Sequence, residues 1–84
     1  MVRLHLSQDK KTILPFEVRE ESAMLKVKTN GTLQVFVSVD CASWNLRNIV
    51  QVSGCIHQRI DNLVPGCFMK ITSDNTMSNP KIIF

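Results

Sequence analysis

The chain has 84 residues, is 44% hydrophobic and carries a net charge of +3. A chain of that length is a single domain with a core of modest stability, and the composition excludes a disordered polymer. No apolar run approaches the roughly 18 residues of a membrane span, and the mild positive charge permits nucleic acid or an acidic partner without requiring either.

Val2, Leu4 and Leu6 alternate with Arg3 and His5 as a first short strand, and Ser7–Thr12 is a polar turn. The segment has neither a continuous apolar block nor a small-residue cleavage site, so no secretory signal is expected. The three cysteines (Cys41, Cys55, Cys67) are then expected as reduced thiols of an intracellular protein. Leu14, Phe16 and Val18 next alternate with Pro15, Glu17 and Arg19. Pro15 cannot donate to a ladder, which predicts an edge strand.

Ala23–Asp40 is the most patterned stretch. Two alternating runs flank Asn30-Gly31, a strong short-range hairpin signal. A two-residue turn would set Lys26 opposite Val35 and Lys28 opposite Leu33, mixing charge with apolar surface. A three-residue loop with Gly31 as a left-handed bulge residue instead pairs Val27 with Leu33, Leu25 with Val35 and Ala23 with Val37. One face then holds Ala23, Leu25, Val27, Leu33, Val35, Val37 and Val39. The bulged hairpin is therefore expected, because a one-residue slip would turn the core side chains to solvent. Asn30-Gly31-Thr32, formally a glycosylation sequon, reads as this turn.

Cys41–Asn48 is expected to form one short turn, with Trp44 and Leu46 closing an end of the core. Asn48–Arg59 reads as a long strand with Val50, Val52, Gly54 and Ile56 on one face and Gln51, Ser53, Cys55 and His57 on the other. Gly54 predicts a bend of the kind that lets a small sheet curl. Asp61-Asn62 and Pro65-Gly66 are turn material. Cys67, Met69 and Ile71 alternate with Phe68, Lys70 and Thr72, and Ser73–Pro80 is a polar loop before Lys81–Phe84. Short strands with regular turn signals and almost no helix indicate an all-β domain, either a small barrel or a β-sandwich.

Asn30-Gly-Thr-Leu-Gln-Val, a short polar segment, and Asn48-Ile-Val-Gln-Val-Ser-Gly-Cys-Ile resemble the small subunit of replication protein A over about Met24–Ile71. The telomere-capping Ten1-type subunits are similar in outline. The chain departs from that pattern where Val2–Leu6 and Ile13–Arg19 lack a first-strand glycine, and the family's C-terminal assembly helix has no counterpart. The resemblance implies an OB-fold, a five-stranded Greek-key barrel whose strands 2–3 would be Met24–Lys28 and Thr32–Val39. It further implies a nuclear subunit of a replication or telomere complex, with protein partners and single-stranded DNA as a candidate ligand.

The hairpin pairing puts Lys26 diagonal to Phe36 on the outward face, with Lys28 and Gln34 beside them: a stacking ring flanked by ammonium groups. These four are the candidate nucleic-acid contacts. The alternative is that Phe36 and Met24 are covered by a loop, a terminus or a partner, with the lysines as solvated guards of an exposed strand. Met24, Trp44, Ile82 and Phe84 are candidate partner-interface residues. A second function is a β-sandwich interaction module with no nucleic-acid role, pairing the edges Leu14–Arg19 or Lys81–Phe84 with another chain. Cys55 and His57 lack the paired spacing of a zinc site. The acidic residues form no catalytic pair, and no nucleophile motif or phosphate-binding loop is present, so neither an enzyme nor a cofactor is expected.

Overall fold

A computed structural model describes the backbone of residues 2–84 and the side chains of residues 4–84. It contains six strands: β1 (Val2–Arg3), β2 (Thr12–Glu17), β3 (Ala23–Ser38), β4 (Asn45–Ile60), β5 (Phe68–Ser73) and β6 (Ser78–Ile83). No helix occurs among the described residues, and the fold is all-β, as the alternation predicted. The strands form one antiparallel sheet in the order β1-β6-β3-β5-β2, with β4 on the other side of β3. The inward alternation expected at Val2 lies outside the described side chains.

The Asn30-Gly31 hairpin does not form. Ala23–Ser38 is one continuous strand, and its antiparallel partner is β4, with Ala23 opposite Ile60, Val27 opposite Ile56 and Val35 opposite Asn48. On its other edge β3 pairs with β6 at Met24–Lys28 and with β5 at Leu33–Ser38. Sixteen residues at about 3.3 Å each would extend about 53 Å, yet the longest dimension of the molecule is 30 Å, so the β3–β4 ribbon must bend.

The bend centres on two glycines. Gly31 has φ +147° and Gly54 φ +88°, regions that L side chains rarely adopt. The Thr32 N–H donates to Asp74 Oδ1 at 2.8 Å, and a β-carbon on Gly31 would overlap that oxygen. The Gly54 N–H donates to Asn30 Oδ1 at 2.7 Å, and the Thr29 hydroxyl donates to the Thr76 carbonyl at 2.8 Å. The chain between β5 and β6 thus straps across β3 where one partner strand hands over to the next. Gly31 serves this close approach rather than a turn.

Both halves of β3 present their odd-numbered residues to one core. Leu25, Leu33, Val35, Met69, Ile71, Met77 and Ile82 are all essentially inaccessible to solvent. The predicted inward sides of Asn48–Arg59 and Cys67–Thr72 hold: Val52, Met69 and Ile71 are buried, and Val50 and Ile56 are half-buried against the core. In β2 the expected phase fails at one residue. A bulge between Ile13 and Phe16 accommodates Pro15, so Ile13 is buried and Leu14 is 43% exposed. The N-terminal segment reaches β2 through the Leu6–Ile13 bridge and the Leu14 N–H bond to the His5 carbonyl. These links curl the sheet towards a small barrel that does not close, since among the described residues β4 pairs with β3 alone.

Candidate nucleic-acid interface

From Met24 to Phe36 the even-numbered side of β3 faces outward, as expected; at the end of the strand the phase inverts, with Ser38 buried and Val39, expected inward, 77% exposed, and the outward members are distributed differently. Lys26 and Phe36 lie ten positions apart on one strand, about 33 Å along the backbone. They are not diagonal neighbours. The two half-sheets share a core on their inner sides, so their outer sides diverge at the bend. The single site expected from sequence becomes two.

The first is aromatic. Phe36 is directly opposite Lys70 of β5 and Leu46 of β4. The Lys70 ammonium lies 5.5 Å from the Phe36 ring centroid and 4.7 Å from that of Trp44, within range of a cation–π attraction to both. Phe36, Lys70 and Trp44 are half-buried, and Gln34 is exposed nearby. Leu46, expected in the core, is 49% exposed here because Arg47 is the extra residue of a bulge between Asn48 and Leu46. Glu17, opposite Phe68, is a carboxylate at the margin of this face.

Trp44 is placed by a capped turn. The Ser38 hydroxyl accepts the N–H groups of Asp40 and Cys41 at 3.2 and 3.0 Å, and Asp40 Oδ1 accepts those of Ala42 and Ser43 at 2.9 and 3.1 Å. Bonds from Ser43, Ala42 and the Ser38 hydroxyl hold the Asp40 carboxyl below its ordinary value of 3.8. Cys41 takes φ +62° to complete the turn. The segment read as a plug for the core therefore delivers the indole to the outer face.

The second site is basic. Lys26 stands between His57 of β4 and Lys81 of β6, and Lys28 between Cys55 and Ser78. Lys26, Lys28, Cys55, His57, Asn79 and Lys81 border a shallow groove of about 290 Å³. No carboxylate shares these rows, and Asp61, just beyond β4, is already bound to Arg59 at 2.8 Å. Like charges directly opposite on a sheet are destabilising, so Lys26 facing Lys81 is an arrangement that an anionic ligand would relieve. Cys55 and His57 belong to this surface, and no group of three metal-ligating side chains occurs among the described residues.

The candidate interface residues separate as well. Ile82 is fully buried between Leu25 and the rest of the core, so it is a packing residue and not a docking one. Met24 and Phe84 border a small hollow with Arg59, and Phe84 packs against the core. Of the edges expected to recruit a partner, Lys81–Ile83 lies within β6, between β1 and β3, whereas β2, outermost in the strand order, is met by the N-terminal segment only at Thr12, Ile13 and Leu14. A cavity of about 260 Å³ between Val18, Val37, Val39, Leu63 and Val64 lies beneath Arg47, whose guanidinium donates to the Asp61 carbonyl.

Sequence reasoning missed Lys70, Lys81 and His57 as site members. Their alternation was visible, but the strand-to-strand registers that place them beside Phe36 and Lys26 are long-range and carry no local signal. No family model, curated protein or solved structure matches the chain.

Proposed function

We propose that the chain is a small OB-type subunit of an intracellular, nuclear assembly of the replication or telomere type, which binds protein partners and contacts single-stranded DNA. The observation that carries this reading is the Phe36–Lys70–Trp44 cluster on the outer face. Two rings offer stacking surfaces to any base, and the ammonium beside them neutralises a phosphate. The Lys26–His57–Lys81 row adds a second patch for backbone charge. Stacking contributes about 1–3 kcal/mol per base, so two rings alone hold a strand only in the range from tens of millimolar to tens of micromolar. Such a weak contact becomes useful when it is one of several on a single strand, which fits a subunit better than a solitary binder.

The chain has one tryptophan, Trp44, and it sits in the cluster. Titrating the folded chain with oligothymidylate should quench its fluorescence, more strongly at low salt. Phe36→Ala should weaken binding by about 1–3 kcal/mol, the contribution of one stacked base. An unchanged spectrum at low salt, or equal affinity for wild type and Phe36→Ala, would remove nucleic acid from the function.

A further inference from the structure

The longest free edge in the fold belongs to β4. Its sixteen residues bond to β3 on one side and, among the described residues, to no strand on the other, which leaves alternate backbone N–H and C=O groups open to a further strand. On its inner face only Val52 and Ile60 are buried, while Val50 and Ile56 are half-covered. On its outer face, Ser53–Arg59 adjoins Lys26 and Lys28. Asn45–Ile60 contains no Asp or Glu, and its ionisable residues are Arg47, His57 and Arg59 together with Cys55.

We propose that this edge receives an extended segment of a partner protein in which apolar residues alternate with aspartate or glutamate. The inward side chains of such a strand cover Val50, Val52 and Ile56, completing a core face that this chain leaves half open. Its outward carboxylates lie beside His57 and, one strand further, Lys26 and Lys28. The charge pattern selects this occupant over a second copy. Of the antiparallel self-pairings that keep most of β4 overlapped and like faces together, one sets Arg47 opposite Arg59, a like-charge juxtaposition that is costly across an interface, and none brings a carboxylate to Lys26 or Lys28, because Asn45–Ile60 has none. The inference concerns the edge of β4 and does not depend on the aromatic cluster binding nucleic acid.

The test uses the whole chain and fluorescein-labelled peptides of about eight residues, close to the length of a natural strand. One alternates Glu with Val, one alternates Lys with Val, and two more are the Glu/Val peptide N-methylated at alternate residues, one for each edge. Fluorescence anisotropy should show saturable, salt-sensitive binding of the Glu/Val peptide and at least about tenfold weaker binding of the Lys/Val peptide. N-methylation along one edge should abolish binding, because it removes the backbone donors. The double variant Lys26→Glu/His57→Glu, with its fold checked by circular dichroism, should reverse the preference between the two charged peptides. Equal binding of the Glu/Val and Lys/Val peptides, unchanged binding after N-methylation of either edge, or no binding at millimolar peptide would overturn the proposal. So would a dimer in sedimentation that excludes the peptide, which would make a second copy the occupant. Oligothymidylate binding lost in the double variant, with no peptide bound by the wild type, would assign the basic row to nucleic acid and also overturn it.

Discussion

Gly31→Ala is the substitution whose outcome separates a bent strand from a turn. At φ +147° a β-carbon is strained, at about 1–3 kcal/mol. That β-carbon also displaces the Asp74 carboxylate, which accepts the Thr32 N–H at 2.8 Å; losing one such bond costs about 0.5–1.5 kcal/mol. Alanine's lower entropy in the unfolded chain offsets about 0.4–1 kcal/mol. The net loss is then about 0.5–4 kcal/mol, against roughly 4–12 kcal/mol expected for a domain of this length. That corresponds to a fall in Tm of roughly 2–30 °C. Guanidinium denaturation followed by far-ultraviolet circular dichroism measures it. Combined with Asp74→Ala, the double variant should be about 1 kcal/mol more stable than the two single losses added together, because the displaced hydrogen bond is counted only once. If Gly31→Ala is neutral, or its effect adds to that of Asp74→Ala within about 0.5 kcal/mol, Asp74 does not define this bend and the reasoning fails.

Other consequences can be checked independently. Ile82→Ala should destabilise the isolated chain by about 2–5 kcal/mol in the same denaturation assay; a loss under about 1 kcal/mol would return Ile82 to the surface. Lys81→Glu, facing Lys26, should raise stability by about 0.2–1 kcal/mol at low salt, with the gain fading as salt is added, while weakening oligothymidylate binding. Asp40 has a depressed folded-state pKa because its carboxylate accepts the Ser43 and Ala42 N–H groups and the Ser38 hydroxyl. Its stabilisation is therefore full above its usual value of 3.8 and is lost as pH falls through the lower folded value. Asp40→Asn should flatten that part of the Tm-versus-pH curve, and an unaltered slope would show the Ser38–Ser43 turn to be unimportant.

The faces of this sheet were legible in the sequence, whereas the path of its longest strand was not. In β3, a bulged hairpin and an unbroken strand put the same odd-numbered residues inward, so Leu25, Val27, Leu33 and Val35 are buried under either pairing. Alternation cannot separate the two. Asn30-Gly31 carries a local preference for a turn, but the residue that exploits the glycine is Asp74, remote in sequence. Leu14 was misplaced because Pro15 is absorbed by a bulge, which shifts the phase by one residue. Phe36 was recognised as outward-facing. Its cation, Lys70, was not, because only the pairing of β3 with β5 brings them together. Ile82 looked available because its strand reads as a short apolar run with no visible partner, and the pairing with Leu25 is again non-local.

The unbroken course of β3 fixes everything on the outer surface, and nuclear Overhauser contacts from the Val27 backbone test it most directly. The fold described here predicts cross-strand contacts from Val27 to Ile56 and from Leu25 to Ile82, with none between the backbones of Val27 and Leu33. Backbone contacts joining Val27 to Leu33 and Leu25 to Val35 would restore a hairpin at Asn30-Gly31. They would bring Lys26 back beside Phe36 and contradict the division of the surface into an aromatic and a basic face.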